Sequence, residues 1–341
     1  MRRIAPTSAK EYAVLRRQSG SGRRREMSDF SVSAIIPTKN RPDDVRLTLR
    51  SLLAQSVQAL EIIIIDQSDD DRSKVVASEV FQSAGGKGIA LPELRYVHDT
   101  SIRGVSQARN RALEMAKGAI WLFLDDDVEM DPVFVEELLK VFAVNPAIGG
   151  VSGVITNYPV PPFSYRSWLW LFARGPFREK RLPVYWGAHK YSDLVPVIGM
   201  TGCLMSFRAE VARTGRFDES MRDAEDVDYC LNLKGNPSMV LAPRVRLKHM
   251  ASPINRIREA WLKKFAASQS HLYHKNWNHK LGSRICFGWF IVGLSLASLL
   301  SCVRRLSSEP FVGMLQGLRQ GEAAAVASRL HAPALAKSSV N

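Results

Sequence analysis

The stretch EIIIIDQSDDD, residues 61–71, decides how this chain is to be read. A strand with one solvated face alternates apolar and polar residues, and four consecutive isoleucines break that alternation. Such a run fits a strand covered on both faces, as in a parallel sheet. Sixty residues on, WLFLDDDVEMDP (121–132) repeats the pattern, an apolar strand running straight into carboxylates. Upstream, FSVSAIIPTKN (30–40) reads as a third strand, closed by Pro37. Between and after these lie segments with helical spacing. Val45, Leu49, Leu52 and Leu53 recur on one face behind acidic first-turn residues. RGVSQARNRALEMAKG reads as a helix stopped by Gly118, and PVFVEELLKVFAVN as another. Strand, helix, strand, helix, strand, helix predicts an α/β domain with a mostly parallel sheet and helices on both faces.

The chain has 341 residues and is 46% apolar, enough for a substantial core. Its net charge of +14 suits an acidic partner: nucleic acid, an anionic lipid surface or a phosphorylated substrate. Residues 1–30 read as a flexible basic arm, with SGSG before three arginines. Charge without an apolar segment behind it gives no expectation of a secretory signal. The four cysteines show no CxxC spacing, so neither a zinc site nor a disulfide framework is expected, and a reducing compartment fits.

After Gly149 the texture changes. Residues 157–194 are rich in proline and aromatics, with a short helix expected around Tyr165–Phe172. TGCLMSFRAEVARTG reads as a strand turning into a helix, and EDVDYCLNLKGN as a helix start. A basic helix with interleaved aromatics follows His249. ICFGWFIVGLSLASLLSCV, residues 285–303, then carries no charge and is flanked by Arg284, Arg304 and Arg305. At about 1.5 Å per residue it approaches the roughly 30 Å of a bilayer core. A membrane span, an interfacial helix and a core helix all fit this run. The expected layout is a basic arm at 1–30, an α/β domain at 31–255, a helical region at 256–320 with the apolar run 285–303, and a flexible tail at 321–341.

Polar groups gather where the predicted strands end: Thr38-Lys39-Asn40, Asp66 with Asp69–Asp71, and Asp125–Asp127. In α/β sheets, ligands bind beyond the carboxyl ends of the strands. Adjacent carboxylates repel one another unless a proton or a cation relieves them. Hard oxygen donors of this kind suit Mg²⁺ or Mn²⁺, which takes its remaining ligands from phosphates and water. The physical expectation is a metal tying a diphosphate to the sheet edge; turn formation is the plainer alternative for each single Asp. No G-x-G-x-x-G and no GxxxxGK[ST] occurs, which counts against a dinucleotide enzyme and a P-loop NTPase.

With these motifs in order, the chain resembles the inverting glycosyltransferases of family 2, and the resemblance implies the GT-A fold over roughly residues 31–255. SAIIPTKNRPD resembles the opening strand and nucleotide loop, which implies nucleotide-binding roles for Pro37, Thr38 and Asn40. IIIIDQSDDD resembles the strand whose last Asp, here Asp66, contacts the base. RGVSQARNRA is similar to the segment closing over the nucleotide and implies a donor contact for Arg109. WLFLDDDVEMDP resembles the DxD-bearing strand end: Asp125 would lie near the ribose and diphosphate and Asp127 on the metal, with Asp126 an alternative for one of these roles. AEDVDYCLNLKG resembles the acidic motif that supplies the catalytic base, which would be Asp226 with Glu225 beside it. His249 falls where relatives place a His near the diphosphate or metal. GRFDE (215–219) resembles the close of the acceptor-side segment. The sequence departs from the pattern at Val128, where an acid is common, and in the 157–194 insert, which has no counterpart in the family pattern.

The resemblance implies transfer of a sugar from a nucleotide-diphosphate sugar to a hydroxyl of a saccharide or lipid-linked saccharide, with inversion and with Mg²⁺ or Mn²⁺. Basic segments beside an apolar run add an anionic membrane partner, peripheral or through one C-terminal span, on the cytoplasmic face of the inner or plasma membrane. Two alternatives stand beside it. A sugar-phosphate nucleotidyltransferase would need a glycine-rich loop where PTKNRPDD has no glycine. A nucleic-acid-binding protein would explain the charge, but no zinc-finger, RNP or GXXG signature supports it, and nucleic acid is not expected as a partner.

Overall fold

The four isoleucines form the middle of a strand, β2 (Glu61–Asp66), in which every residue is buried. The computed structural model describes residues 30–85, 90–187, 190–221, 223–251 and 261–331. They form two compact units, one drawn from Met1–Val160, Lys180–Phe217 and Glu225–Arg256, the other from Pro161–Glu179, Asp218–Ala224 and Ile257–Asn341.

In chain order the structure opens with β1 (Val32–Thr38), α1 (Pro42–Leu53), β2, α2 (Arg72–Gly85), β3 (Glu93–His98), α3 (Val105–Leu113) and β4 (Ile120–Leu124). It goes on through β5 (Val128–Met130), α4 (Phe134–Val144), β6 (Ile148–Ile155) and α5 (Phe163–Phe172). Next come α6 (Arg181–Trp186), β7 (Val195–Pro196), β8 (Leu204–Arg208), α7 (Ala209–Ala212), α8 (Glu225–Asn232) and β9 (Ser238–His249). Three helices close the described chain: α9 (Trp261–Asn276), α10 (Leu281–Arg305) and α11 (Glu309–His331).

The first unit holds one nine-stranded sheet in the order β3-β2-β1-β4-β8-β6-β9-β5, with β7 on β9. β3, β2, β1 and β4 are parallel, β8 runs against both β4 and β6, and β9 is parallel to β6. The sheet is therefore mostly parallel with reversed strands in its second half. Every residue of β1, β2, β4, β6 and β8 is buried, so both faces are covered. β3, at the edge, is only partly buried.

The register places the polar strand ends together. Thr38 pairs with Asp66, and Asp66 with His98. The apolar run at 120–130 is two strands rather than one, split at Asp125–Asp127. β8, β6 and β9 lie between β4 and β5 in the pairing order. Four strand spacings of about 4.8 Å exceed the roughly 14 Å that four residue steps can reach. The sheet must curl, and its curl brings the acidic turn against the end of β9, where Val128 pairs with His249.

β3, β6, β7 and β9 have no counterpart in the sequence reading, and β6 and β9 show why. β6 contains Gly149, Gly150 and Gly153, and a Cβ at Gly153 would collide with the Val245 carbonyl. Its glycines mark close approach of the neighbouring strand, where they look like a loop in the sequence. β9 contains Pro243, which lies in the stretch where its register against β6 shifts. Helix α3 stops at Leu113, short of the expected Gly118. Gly118 instead lies so close to Ser33 that a Cβ would come within 2.7 Å of its nitrogen.

The helical unit departs from the expected boundaries. Pro161–Glu179 and Asp218–Ala224 belong with it rather than with the 31–255 domain. The reason is aromatic packing: Phe177 stacks on Phe290 at 5.0 Å between ring centroids, and Trp168 meets the same ring edge-on. Asp218 pairs with Lys275 and Ser328, which hold its carboxyl well below the usual range against the cost of burial. Residues 321–331 are helical rather than a loose tail, because Gly317 and Gly321 let α11 lie directly on the Lys263 and Ala267 carbonyls of α9. The basic arm, apart from the buried Phe30, lies outside the described residues, as do 332–341 and the first turns of the basic helix.

Candidate active site

At the carboxyl end of β4 three adjacent carboxylates part ways. Asp126 turns inward, taking the Thr38 hydroxyl at 2.6 Å and the Arg41 guanidinium at 3.0 Å. Burial, reinforced by its acidic neighbours, pushes its carboxyl up to about 7 against those two partners. It fastens the acidic turn to β1.

Asp125 and Asp127 converge instead with His249, their ligand atoms all within 4.8 Å of one another. His249 Nε2 lies 2.9 Å from Asp127 Oδ1 and 3.8 Å from Asp125 Oδ2. Asn157 grips the His249 backbone on both sides, donating to its carbonyl and accepting from its N–H, each at 2.9 Å. Asp127 is buried, while Asp125 is partly open to solvent. Two carboxylates and one imidazole form a donor set that fits Mn²⁺ or Mg²⁺ and leaves coordination positions for phosphate and water.

Arg109 is 1% exposed. Its Nη1 donates to Glu225 at 2.8 Å, and its Nη2 donates to Asp125 and to the Gly202 carbonyl, both at 3.1 Å. The resemblance implies a donor contact for it; here it is buried and both terminal nitrogens donate to protein oxygens. It is a buried clamp between Asp125 and a second acidic pair. Gly202 leaves room for the guanidinium, since a Cβ there would stand 2.7 Å from Nη2 and force it to shift. Next to Arg109, the Asn110 amide makes two 2.9 Å hydrogen bonds with the Phe217 backbone, fixing the ring under the guanidinium.

The second acidic pair opens α8. Asp226 accepts from the Gly202 N–H at 2.6 Å and from the Val227 N–H at 2.7 Å. Burial raises its pKa, opposed by the charges of Arg181 and Arg109. Glu225 is pushed up to about 7 by burial and by repulsion from Asp226, with Arg109 pulling the other way. A helix N-terminus lowers a carboxylate pKa; here desolvation outweighs it. Arg181 reaches the Thr201 hydroxyl at 3.0 Å, and Tyr185 meets the same hydroxyl at 3.1 Å.

A profile of the family described as Glycosyl transferase family 2 matches residues 33–215, more than half of the chain. The chain belongs to that family. Its curated relatives include the Escherichia coli (strain K12) glycosyltransferase YibD, 37% identical over 114 residues, which are 33% of this chain and 31% of YibD. The amylovoran biosynthesis glycosyltransferase AmsB of Erwinia amylovora is 33% identical over 103 residues, 30% of this chain and 33% of AmsB. The chain thus spans about a third of the length of these relatives. Among solved structures it is similar to a mannosyltransferase from Pyrobaculum calidifontis in complex with GDP-Man and Mn²⁺. That likeness covers 94% of both chains at 16% identity and a TM-score of 0.51, and it is a likeness of GT-A fold.

In this family 2 glycosyltransferase the remaining expected residues lie at, or just beyond, the ends of β1 and β2. Asp66 is fully buried and accepts the Ser68 and Tyr96 hydroxyls, which raises the Tyr96 pKa together with burial. Asn40, at φ 56°, exchanges two hydrogen bonds with Asp69 and so ties the β1 loop to the β2 loop. Pro37 sits within β1, paired with Ile65, so the strand runs on to Thr38 rather than closing at the proline. Sequence reasoning missed Arg41, Tyr96, Asn157, Arg181 and Gly202. Arg41 sits in the quoted PTKNRPD motif and was within reach; the others act through distant partners that spacing does not reveal.

Proposed function

We propose that this glycosyltransferase moves a sugar from a nucleoside-diphosphate donor to a hydroxyl of a saccharide or lipid-linked saccharide, with inversion at the anomeric carbon. The observation that carries the proposal is the placement of two separate acidic groups on either side of one buried arginine. Asp125, Asp127 and His249 lie on one side of Arg109, and Glu225 with Asp226 on the other.

Asp125, Asp127 and His249 would hold the divalent ion. When bound, such an ion neutralises charge developing on a departing diphosphate. Asp226, anchored by two backbone N–H groups, keeps a fixed orientation, and its raised pKa makes it a better proton acceptor near neutral pH. It takes the acceptor hydroxyl proton as that oxygen bonds to the anomeric carbon, while the bond from that carbon to the diphosphate oxygen breaks on the opposite face. Arg109 ties Asp125 to Glu225 and bonds the Gly202 carbonyl, while the Gly202 N–H donates to Asp226. Asp66, Asn40, Thr38 and Pro37 form the strand ends against which the nucleotide would rest.

Similarity to AmsB, an amylovoran biosynthesis enzyme, supports a place in surface polysaccharide or glycolipid synthesis. One described helix, Leu281–Arg305, is long and apolar enough to cross a membrane by length and composition. Together with the basic charge it supports work at the cytoplasmic face of the inner or plasma membrane. Family membership favours this reading over a sugar-phosphate nucleotidyltransferase or a nucleic-acid-binding protein.

The test is a donor screen that follows nucleoside diphosphate release with a pool of lipid-linked acceptors and Mn²⁺ or Mg²⁺, with NMR of the product. Release that needs acceptor and metal, with inverted anomeric configuration, is expected. Retained configuration, or full turnover under exhaustive chelation, overturns the mechanism.

A further inference from the structure

Helix α10 has two faces of different use. On the inner face, Phe287 stacks on Tyr273 at 3.8 Å and Phe290 on Phe177 at 5.0 Å between centroids. The Gly293 carbonyl receives the Trp168 indole N–H at 2.9 Å, and Leu294 and Ser298 are buried further along. On the outer face, Ile285, Trp289, Val292, Leu296, Leu300 and Val303 follow one another at helical spacing, all exposed. Ile285 is 66% and Val303 73% exposed, so the stripe is bare at both ends. Between Arg284 and Arg304 the helix carries no charge on any face.

At about 1.5 Å per residue the stripe is roughly 27 Å long. An uninterrupted apolar strip of that length needs a cover. It continues onto α5, because the Trp289 indole donates to the Leu171 carbonyl at 2.9 Å, and Leu171 and Trp170 are exposed beside it. Arg174 lies over the Trp170 ring at 4.9 Å.

Three covers are conceivable, and two conflict with what is present. A membrane-spanning α10 would bring its packed partners into hydrocarbon. Those partners, α9 and α11, carry Lys263, Lys264, Lys275, Arg319 and Glu322, at high cost in lipid. A second copy of the stripe would set arginine against arginine, Arg284 facing Arg284 in parallel pairing or Arg304 in antiparallel pairing. An anionic lipid surface matches both features: apolar contact along the stripe and basic side chains at each end, with tryptophans beside it.

We infer that α10, with the adjoining edge of α5, lies in the plane of an anionic membrane as a one-sided docking face and does not span it. The inference rests on the helical unit alone, so loss of vesicle binding and loss of sugar transfer are separate failures.

The full chain is tested for co-sedimentation with phosphatidylcholine vesicles, with and without phosphatidylglycerol. Binding should require the anionic lipid and weaken with salt. Leu296→Glu with Leu300→Glu should reduce it by at least about tenfold, the order set by losing a buried leucine side chain. These positions are solvent-facing, so the circular dichroism spectrum should not change. Arg304→Gln with Arg305→Gln should weaken binding to anionic vesicles alone. Fluorescent probes at Ile285→Cys and Val303→Cys, in a Cys286→Ser, Cys302→Ser background, report depth through brominated lipids. Equal shallow quenching is expected. Probes at opposite leaflets, binding indifferent to lipid charge, or a concentration-dependent dimer without vesicle binding would each overturn the inference.

Discussion

His249 Nε2 lies 2.9 Å from Asp127 Oδ1, and strand register puts it there: His249 pairs with Val128, the residue after Asp127. The end of β9 and the turn after β4 thus form a single site although they are far apart in sequence. His249→Ala and Asp127→Ala should each weaken Mn²⁺-dependent nucleotide binding by at least about tenfold, the order seen even for outer-shell losses at metal sites. Calorimetry with a nucleoside diphosphate, with and without Mn²⁺, measures this. Equal metal-dependent affinity in the Asp127 variant would remove it from the ligand set.

Asp226 accepts the Gly202 N–H on one carboxylate oxygen and the Val227 N–H on the other, so Asn keeps its size and one of these bonds while removing the proposed proton acceptor. Asp226→Asn should leave donor binding within about twofold and lower kcat by about 10²–10⁴, the usual contribution of a positioned base. Parallel measurement of Kd and kcat separates the two. Unchanged turnover would exclude Asp226 as the base.

Arg109 joins Asp125 to Glu225 inside the protein, and removing it would strand two carboxylates. Arg109→Met should cost about 3–5 kcal/mol of stability, as for other broken buried pairs. Urea unfolding of both proteins provides the comparison. A loss below about 1 kcal/mol would mean that solvent already screens the clamp.

Much of this site was readable because strand ends and short motifs are local. The run at 62–65 declared a doubly covered strand, and the acids after it marked the carboxyl edge on which Thr38, Asp66 and Asp125–Asp127 meet. What stayed hidden depends on contacts between distant segments. β6 and β9 carry Gly153 and Pro243, which look like loop formers until the neighbouring strand and the register shift are seen. The resemblance implied a donor contact for Arg109, since only folding brings Glu225 and Gly202 around it. Trp168 and Phe177 looked like part of the catalytic domain; their partners Phe290 and Tyr273 lie about a hundred residues on.

Glu225 gives a pH signature with a defined sign. Its pKa rises from an ordinary 4.5 to about 7 through burial and the charge of Asp226. Between pH 4.5 and 7 the folded chain therefore keeps a proton that the unfolded chain has released. Stability from this group must fall as pH rises through that window. Glu225→Gln has no proton to lose, so its Tm minus the wild-type Tm should climb across the same interval and level off above it. Scanning calorimetry of both proteins from about pH 4 to pH 8.5 measures the difference curve. A difference that declines with pH would mean that the Arg109 ion pair outweighs desolvation, and that Glu225 is an ordinary ionised partner throughout.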